Sequence, residues 1–511
     1  MLPNGRAAAV IVLAAGEGTR MRSATPKVLH PLAGRPLVEH AVRAAAGLDP
    51  GHLAVVVGHG RDAVTEHLQT LSAPLHRHIA APVQPEQRGT GHAVSCALDV
   101  LPTDLAGTVL VSYGDVPLLD TATLAGLLDA HHRARHAVTV LSATVADPGG
   151  YGRIVRDQDG EVTGIVEHHD ATDAERGITE INSGVYAFDA AVLRSALGRL
   201  GTANSQGELY LTDVLGLARS DGLPVGAHRC PDPQLVEGVN DRVQLATLGT
   251  ECNRRLLQRW MQAGVTVVDP ASVRVDVDVE LAPDVVLHPG VQLHTGTTVG
   301  EGAHIGPDAT LSACTVGAGA TVVRTHAVDA VIGERVSVGP FAYLRPGTVL
   351  AAASKVGTFV ETKNASVGAE AKVPHLSYVG DATIGPGSNI GAATVFVNYD
   401  GVAKHHTTIG AHARTGADNM FVAPVTVGDG AYTAAGSVIT DDVPPGAMAV
   451  ARGRQRNVEG WVTRRRAGTL AAEAAAASDE AAAPDEVGPQ HEQHPDPHPE
   501  QHPDPQHQER A

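Results

Sequence analysis

Apolar residues along the chain follow two different spacings, one in each part of the sequence. Over about the first 242 residues, short apolar runs alternate with segments whose apolar positions recur at helical spacing. These runs are Ala7–Leu13, Leu37–Ala46, Leu53–Val57, Ala63–Leu71, Thr108–Val111, Leu124–His131 and Ala137–Ala143. The alternation predicts an α/β domain with a mostly parallel sheet, whose ligands bind where the strands end at their carboxyl side.

From residue 264 the apolar residues recur every six positions, as in Val267, Val273, Val279 and Val285. Positions six apart lie on opposed faces of a helix, so helical packing cannot use this pattern. Hexapeptide repeats instead predict a parallel β-helix with three sides of six residues, and about ten coils to residue 463. Between the two domains, residues 241–261 lack proline and carry apolar residues on one helical face. We expect a helical linker over 243–263.

The last segment, 464–511, is rich first in Ala and Glu and then in His and Pro. It has no apolar periodicity, so we expect it to be disordered. Its histidines could bind Ni²⁺ or Zn²⁺ weakly, but a solvated extension without assigned function is the better interpretation of this composition.

Composition narrows the classes of function. Aromatic residues make up only 3% of the 511 residues, whereas there are 56 Gly and 32 Pro, which fits a turn-rich, repetitive domain. The formal charge of −18 argues against a nucleic-acid partner. Four scattered cysteines show no metal-binding spacing and indicate free thiols. With no signal peptide and no apolar stretch of about 18 residues, we expect a cytoplasmic protein without a membrane partner.

The first apolar run ends in a loop suited to phosphate. In the segment from Leu13 to Leu29, Gly16 and Gly18 allow a tight turn whose backbone N–H groups can face an anion. Arg20 and Lys27 add two cations. The segment is neither the dinucleotide fingerprint nor the P-loop. Through Pro26-Lys27, it resembles the signature of sugar-phosphate nucleotidyltransferases.

Further polar segments follow later runs. Asp115 comes after Thr108–Val111, where it could hold a divalent cation or simply cap a helix. The Gly-rich segment from Gln84 to Ala93 carries amide side chains that could read a base edge. Segments 149–154, 165–170, 180–184 and 237–240 complete the set.

In this order, the segments resemble the uridyltransferase half of the bacterial family of bifunctional N-acetylglucosamine-1-phosphate uridyltransferases/glucosamine-1-phosphate acetyltransferases. The resemblance implies a Rossmann-like nucleotidyltransferase domain over 1–242, with Mg²⁺ held by Asp115 and Asn240. It further implies that UTP and the N-acetylated sugar phosphate are bound by Leu13, Ala14, Ala15, Gly16, Arg20, Lys27, Gln84, Gly89, Thr90, Tyr113, Gly114, Asp115, Gly152, Glu167, Asn182 and Asn240.

Polar residues also gather where the hexapeptide pattern is interrupted, in segments 344–347, 361–363, 374–378, 388–392 and 397–404. A lone His in a repetitive fold is usually a surface residue. His375, however, is accompanied at corresponding places by Arg, Lys, Tyr and Asn. Because the reference pKa of His is about 6.5, it suits a general base near neutral pH.

These positions resemble the acetyltransferase half of the same family, over 264–463. The resemblance implies a left-handed, trimeric β-helix with active sites between neighbours and with His375 as the base. Glucosamine-1-phosphate would be bound by Arg345, Lys363, Tyr378 and Asn389, with Lys404 as a weaker candidate for its phosphate. Acetyl-CoA would be bound by Ala392, Asn398, Tyr399, Ala417, Ala435 and Arg452. Ala417 departs from the family, which usually has Ser there, so this chain lacks a hydroxyl that could hydrogen-bond the reacting amine or the thioester region.

Two other hypotheses stay open from the sequence. One is a nucleotidyltransferase whose trimerising β-helix is not catalytic. The other is a regulatory or assembly subunit built on both folds without catalysis. His375, Lys363 and Arg345 argue against the first hypothesis, and Lys27, Asp115 and Asn240 argue against the second.

Overall fold

The computed structural model describes residues 6–482 of the chain. The chain divides into a large unit that ends at Ala451 and a small unit that begins at Arg452. The strands of the α/β domain are β1 Ala9–Ala14, β2 Pro31–Leu32, β3 Arg35–Pro36, β4 His52–Val57, β5 Thr108–Tyr113, β6 Val138–Thr144, β7 Arg153–Arg156, β8 Val162–Val166, β9 Glu180–Asp189 and β10 Val225–Arg229. Its α-helices are α1 Leu37–Ala46, α2 Arg61–Ser72, α3 Thr90–Asp99, α4 Thr121–Ala134, α5 Asp173–Arg176, α6 Ala190–Leu197 and α7 Asp213–Ser220. Short 3₁₀ helices span Thr19–Met21, Lys27–Leu29 and Pro233–Val236.

The main sheet has the order β10-β6-β9-β5-β1-β4, with the β7–β8 hairpin attached to β9. Strand β1 runs parallel to β4 and β5, and β10 runs parallel to β6. Strand β9 is antiparallel to both β5 and β6. The sheet is therefore mixed, and mostly parallel as the alternating pattern predicts. Side chains of β1 alternate between two cores, with Val10 and Val12 on one face and Ile11 and Leu13 on the other.

From Thr266 the chain forms a left-handed parallel β-helix. In one of its faces Val286 pairs with His304, and His304 pairs with Thr321, so that successive coils lie 18 and 17 residues apart. Buried Val, Ile, Leu and Ala fill its interior. Its strands are Thr266–Val267, Arg274–Val275, Glu280–Leu281, Val286–Leu287, Gln292–Leu293, Thr298–Val299, His304–Ile305, Thr310–Ser312, Thr315–Val316, Thr321–Val322, Thr325–Val328, Ala330–Ile332, Ser337–Val338, Ala342–Leu344, Thr348–Leu350, Lys355–Thr358, Glu361–Val367, Lys372–His375, Tyr378–Ile384, Val395–Val397, Thr407–Ile409, Met420–Val422, Val425–Val427, Tyr432–Thr433, Val438–Ile439 and Met448–Ala449.

Helix α8, Arg242–Gln262, joins the two domains at the place where the sequence predicts a helix. Its buried Asn253 donates a hydrogen bond from Nδ2 to the Val273 carbonyl over 2.9 Å, and its Oδ1 accepts one from the Val275 amide at 3.0 Å. Leu257 of the same helix packs into the β-helix core. The side chain of Asn253 thus satisfies backbone groups of the first coil that an earlier coil would otherwise pair.

The α/β domain also contacts the β-helix directly. The carbonyl of Ala33 accepts a hydrogen bond from the Val277 amide at 3.0 Å. The Arg35 guanidinium forms an ion pair with Asp278, and it lies 3.7 Å from the buried Glu39 carboxylate. The β2–β3 hairpin, which follows the Lys27 segment in the chain, is therefore fixed to the second domain.

The C-terminal segment differs in part from the disorder expected over 464–511. Helices α9 Trp461–Arg465 and α10 Leu470–Ala481 occupy its beginning, and residues 483–511 lie outside the described residues. Helix α10 is mostly Ala, which has the highest helix propensity, and Thr469 accepts a capping hydrogen bond from the Ala472 amide. A helix can thus form here from local propensity even though most of its side chains are exposed. Within residues 6–482, no helix combines the length and apolar character needed to cross a membrane.

Candidate active sites

Parallel pairing brings the phosphate loop and the Asp115 loop to one edge of the sheet. Leu13 pairs with Tyr113, and the Gly114 amide donates a hydrogen bond to the Leu13 carbonyl over 2.9 Å. A cavity of about 310 Å³ opens at this edge. Predicted residues that line it are Leu13, Ala14, Ala15, Gly16, Lys27, Gln84, Gly89, Thr90, Tyr113, Asp115 and Asn240.

The loop after β1 is held in place from several sides. Gly18 has φ of 65°, and a Cβ atom there would lie 2.5 Å from Cβ of Lys27, so glycine lets Lys27 pack against the turn. The Ala15 carbonyl accepts a hydrogen bond from Gln87 Nε2 at 2.8 Å. Arg242, at the start of α8, donates to the Met21 carbonyl over 3.1 Å. The linker helix therefore helps to shape the loop after β1.

Lys27, Asp115 and Asn240 line this cavity, and the exposed Arg20 contacts Asn240. Lys27 Nζ donates a hydrogen bond to Asp115 Oδ2, and Arg20 Nη2 donates one to Asn240 Oδ1 at 3.0 Å. The Val239 amide donates to the Asp115 carbonyl over 2.8 Å, which fixes the Asn240 loop beside Asp115. The cavity therefore offers a carboxylate and an amide oxygen to a hard cation, and two positive groups to phosphate. Among residues 6–482 there is no cluster of three or more His, Cys, Asp or Glu side chains suited to a metal ion.

The predicted base-recognition loop closes another side of the cavity. Gln84 Nε2 donates to the Gly89 carbonyl over 3.0 Å, and Thr90 Oγ1 accepts from the Leu211 amide at the same distance. Gly89 has φ of 98°, and a Cβ atom there would lie 2.6 Å from the Leu209 carbonyl oxygen. Glu208, which we did not predict, also lines the cavity. It precedes α7 without a motif, so only tertiary contact reveals it.

A second cavity of about 250 Å³ adjoins the first and shares Thr90, Tyr113 and Glu208 with it. Glu167 and Asn182, both predicted to bind the sugar, line this cavity.

Asn182 Oδ1 accepts hydrogen bonds from the Gly184 amide at 2.8 Å and from Tyr186 Oη at 2.9 Å, which leaves its NH₂ group as the outward donor. A Cβ atom on Gly152 would lie 3.2 Å from Glu167 Oε2, so this predicted glycine lies against the same side chains. Burial raises the pKa of Glu167 and that of Tyr113.

Three of the predicted glucosamine-1-phosphate residues lie on neighbouring coils of one β-helix face. Glu361 pairs with Tyr378, and Lys363 pairs with Gly380. Arg345, one coil earlier, donates from Nη1 to Glu361 Oε1 over 2.8 Å, and this hydrogen bond raises the pKa of Arg345. Arg345, Lys363 and Tyr378 are thus brought together.

Lys404 joins this group from a loop of the same chain. Tyr399 and Lys404 form an antiparallel bridge at the base of the loop, and the His405 amide donates to the Asn398 carbonyl over 2.8 Å. The neighbouring Lys363 lowers the pKa of Lys404, first by a hydrogen bond and then by like-charge repulsion. Two lysines held this close favour an anion between them. Tyr399 is 56% exposed, and its hydroxyl donates to the Gly401 carbonyl.

His375 and three of the predicted acetyl-CoA residues lie along one edge of the three-sided β-helix. The Ala393 amide donates to the His375 carbonyl, the Asp418 amide donates to that of Ala392, and the Gly436 amide donates to that of Ala417. Small residues permit this close stacking, since a Cβ atom at Gly416 would lie 2.3 Å from the Ala435 nitrogen. The resulting edge, called here the His375 edge, contains His375, Ala392, Ala417 and Ala435.

Two other predicted residues of this domain are Asn389 and Arg452. The backbone of Asn389 bridges Lys372 and Arg414, on the face that carries His375. Arg452 begins the small unit, where it is exposed.

Residues 10–170 match the model of the MobA-like NTP transferase domain. Over 478 residues the chain is 58% identical to the bifunctional protein GlmU of Corynebacterium efficiens, covering 94% of this chain and 98% of that protein. The GlmU proteins of Mycolicibacterium vanbaalenii and Rhodococcus jostii are 60% and 62% identical, and each match covers 95% of the relative and 91% or 92% of this chain. Because such identity extends through both domains, the chain belongs to the family of bifunctional GlmU proteins.

Proposed function

We propose that the two sites described above carry the two activities of this bifunctional enzyme. The β-helix transfers acetyl from acetyl-CoA to glucosamine-1-phosphate. The α/β domain then transfers uridylyl from UTP to N-acetylglucosamine-1-phosphate, which gives UDP-N-acetylglucosamine and pyrophosphate. The observation that carries the proposal is the cavity lined by Lys27, Asp115 and Asn240, with Arg20 hydrogen-bonded to Asn240.

In uridylyl transfer, a phosphate oxygen of the sugar phosphate attacks the α-phosphorus of UTP. The P–O bond between the α- and β-phosphates breaks, and pyrophosphate leaves. No protein nucleophile is needed, since the reaction depends on alignment and charge stabilisation. Lys27 and Arg20 are placed to neutralise phosphate oxygens, and Gln84, Gly89 and Thr90 to hold the uridine. The outward NH₂ group of Asn182 and the Glu167 carboxyl face the sugar.

We propose Asp115 and Asn240 as the protein ligands for Mg²⁺. The residues fit this ion, because both offer oxygen and because two protein ligands leave octahedral positions for water and phosphate. When bound, Mg²⁺ neutralises charge on the phosphates of UTP. Lys27 and Arg20 are hydrogen-bonded to the same two residues, so the two proposed ligands lie beside the two side chains proposed to neutralise the phosphates.

In acetyl transfer, His375 accepts a proton from the amino group of glucosamine-1-phosphate as that nitrogen attacks the thioester carbonyl. A C–N bond forms, the C–S bond breaks, and free CoA leaves. We propose Arg345, Lys363 and Lys404 as the phosphate site, with Tyr378 and Asn389 completing the sugar site. The His375 edge, with Asn398 and Tyr399, is our proposal for the acetyl-CoA site, and Arg452 stays a prediction from the family resemblance.

His375 and the pair Lys363 and Lys404 lie on adjacent sides of the three-sided β-helix. We therefore propose that a second copy of the chain completes each acetyltransferase site in a homotrimer. An apolar column next to His375 supports this. Phe341, Phe359 and Leu376 occupy successive coils and are 51%, 57% and 58% exposed, and the two rings stack at 5.4 Å. Copies of this chain would cover these side chains.

We propose residues 1–242, 243–263 and 264–463 as uridyltransferase domain, linker and acetyltransferase domain, and residues 464–511 as the tail. The cytoplasm is our proposed location, because UTP and acetyl-CoA are made there and because the four cysteines are free thiols. A β-helix that only trimerises is not favoured, since relatives called bifunctional match both domains.

A coupled assay tests the proposal. The protein is supplied with glucosamine-1-phosphate, acetyl-CoA, UTP and Mg²⁺, and free CoA and pyrophosphate are measured separately. We expect both products, with pyrophosphate depending on prior acetylation. Pyrophosphate from added N-acetylglucosamine-1-phosphate without any CoA release would instead indicate a nucleotidyltransferase alone.

A further inference from the structure

Asp381 is a buried carboxylate for which the proposed mechanism has no role. Its side chain is only 9% exposed, and it lies at a corner of the coil that contains Tyr378. Its backbone has φ of 47°, in the left-handed region, and Asn364 holds the same corner one coil earlier with φ of 45°. Buried carboxylates are costly unless they are well paired, so its partners indicate what it does.

Two amide side chains donate to this carboxylate. Asn364 Nδ2 donates to Oδ1 over 2.7 Å, and Asn398 Nδ2 donates to Oδ2. Burial alone would raise the pKa of Asp381, but these hydrogen bonds outweigh burial and hold the pKa below its ordinary value. The group is therefore an anion at neutral pH.

The anion determines which way the Asn398 amide faces. An ionised carboxylate can only accept hydrogen bonds, so the nitrogen of Asn398, and not its oxygen, has to face Asp381. Gly380 allows this packing, since a Cβ atom there would lie 2.7 Å from Asn398 Nδ2 and 2.4 Å from Tyr378 Oη. The amide oxygen of Asn398 is thereby turned away from Asp381 as a fixed acceptor beside Tyr378.

Asp381 also acts on the pair of lysines. Lys363 lowers the pKa of Lys404, whereas Asp381 and Tyr378 oppose that effect. Both lysines in turn stabilise the charged form of Asp381. Asp381 is thus a nearby negative charge that favours the protonated form of Lys404.

We propose that Asp381 is a positioning residue of the acetyltransferase site, which orients the Asn398 oxygen toward acetyl-CoA and places a negative charge near Lys404, the lysine proposed to help bind the substrate phosphate. The inference rests on the proposed acetylation of glucosamine-1-phosphate. Asp381 itself contacts Asn364 and Asn398, and its charge acts on the lysines through space.

The test is Asp381→Asn, which keeps the shape and suits the left-handed backbone but removes the charge. We expect KM for acetyl-CoA and KM for glucosamine-1-phosphate each to rise about tenfold or more, because the charge-assisted hydrogen bond to Asn398 and the negative charge near Lys404 are lost. The increase for glucosamine-1-phosphate should grow between about pH 7 and pH 10, since Lys404 without Asp381 would lose its proton at lower pH. Asp329→Asn is the matched control: Asp329 is exposed and has the same φ of 47° at a corner further toward the N-terminus.

Asp381→Glu is the second variant, because it keeps the charge while moving the carboxylate. We expect its kcat to fall while KM keeps the wild-type pH dependence. UTP turnover and thermal unfolding report whether each variant folds.

A wild-type KM and pH profile in Asp381→Asn would overturn the inference, as would a pH profile that shifts equally in Asp381→Glu. Absence of acetyl transfer in the wild-type protein would instead overturn the proposed function.

Discussion

At the scale of single residues, we expect uridylyl transfer to depend on the Asp115 carboxylate. Asp115→Ala should reduce UTP turnover at least about 100-fold, because the variant loses the charged ligand proposed for Mg²⁺ and leaves Lys27 without its partner. Pyrophosphate release measures this effect, and CoA release should be nearly unchanged. Asp104→Ala, at an exposed position of the same domain, is the control. UTP turnover near the wild-type rate in Asp115→Ala would refute the metal assignment.

In the β-helix, we expect acetyl transfer to depend on His375. His375→Ala should lower kcat for acetyl transfer about 100-fold or more, because the attacking amine loses its proton acceptor. The rate of CoA release is the measurement, and UTP turnover should stay unchanged. His304→Ala serves as control, since His304 is an exposed histidine in the same sheet of the prism. Undiminished CoA release in His375→Ala would remove His375 from the mechanism.

Ala417 allows a gain-of-function prediction. Its side chain is exposed on the His375 edge, so a Ser hydroxyl can be added there without steric cost. We expect Ala417→Ser to raise kcat/KM for acetyl-CoA by up to about tenfold, through one added hydrogen bond to the thioester region or the amine. Steady-state kinetics at varied acetyl-CoA measures the change. An unchanged kcat/KM would mean that this position acts only through its backbone.

At the scale of elements, α4 contains a buried histidine that links stability to pH. His131 is 4% exposed, and its Nδ1 lies 2.9 Å from Thr139 Oγ1 on β6. Burial, with smaller contributions from His132 and His136, lowers its pKa to about 4, while Asp189 acts in the opposite direction. The folded state therefore binds this proton less readily than the unfolded state, whose value is near the ordinary 6.5.

The stabilisation from neutral His131 is complete above pH 6.5 and is lost as the pH falls from 6.5 toward about 4. Thermal unfolding between those limits should show a shallower loss of stability in His131→Gln than in the wild-type protein, because Gln does not titrate. His52→Gln, at an exposed position of β4, controls for loss of any histidine. Parallel pH profiles for wild type and His131→Gln would contradict this assignment.

At the scale of the whole molecule, a charged network joins the two domains. His67, Arg35 and Arg43 surround Glu39, and Arg35 also pairs with Asp278 of the β-helix. Although burial raises the pKa of Glu39, the neighbouring His67 and the hydrogen bond from Arg43 outweigh it and lower the pKa to about 2. Since the hairpin that carries Arg35 follows the Lys27 segment, this network connects the nucleotide site to the second domain.

Asp278→Asn should lower the unfolding temperature of the α/β domain by a few degrees, because a partly buried ion pair is worth about 1–3 kcal/mol. Differential scanning calorimetry measures the shift. Asp284→Asn, at an exposed β-helix position, is the control. An unchanged transition would show that the Ala33–Val277 hydrogen bond and α8 hold the domains without Asp278.

Most of the fold could be predicted because its patterns are local. The six-residue spacing excludes a helix over Val267 to Val291, and proline-free amphipathic spacing indicates α8. Strand β9 was not among the predicted runs. Its antiparallel insertion between β5 and β6 depends on pairing with strands distant in the chain, which no local pattern shows. The Ala-rich α10 differs from the predicted disorder, because the helix forms from local helix propensity whereas the prediction rested on the lack of apolar periodicity.

The sequence by itself determined the alternating pattern of the α/β domain, the six-residue repeat of the β-helix and the glycine positions of the loop after β1. It also determined the chemistry available near Lys27, Asp115 and His375. These features depend on spacing and side-chain type. Only the tertiary structure decided which of them meet. It paired Lys27 with Asp115 and Arg20 with Asn240, placed Lys404 beside Lys363, and set Asp381 behind Asn398. Such contacts join residues far apart in the chain, so they arise from strand pairing and coil stacking that no local pattern encodes.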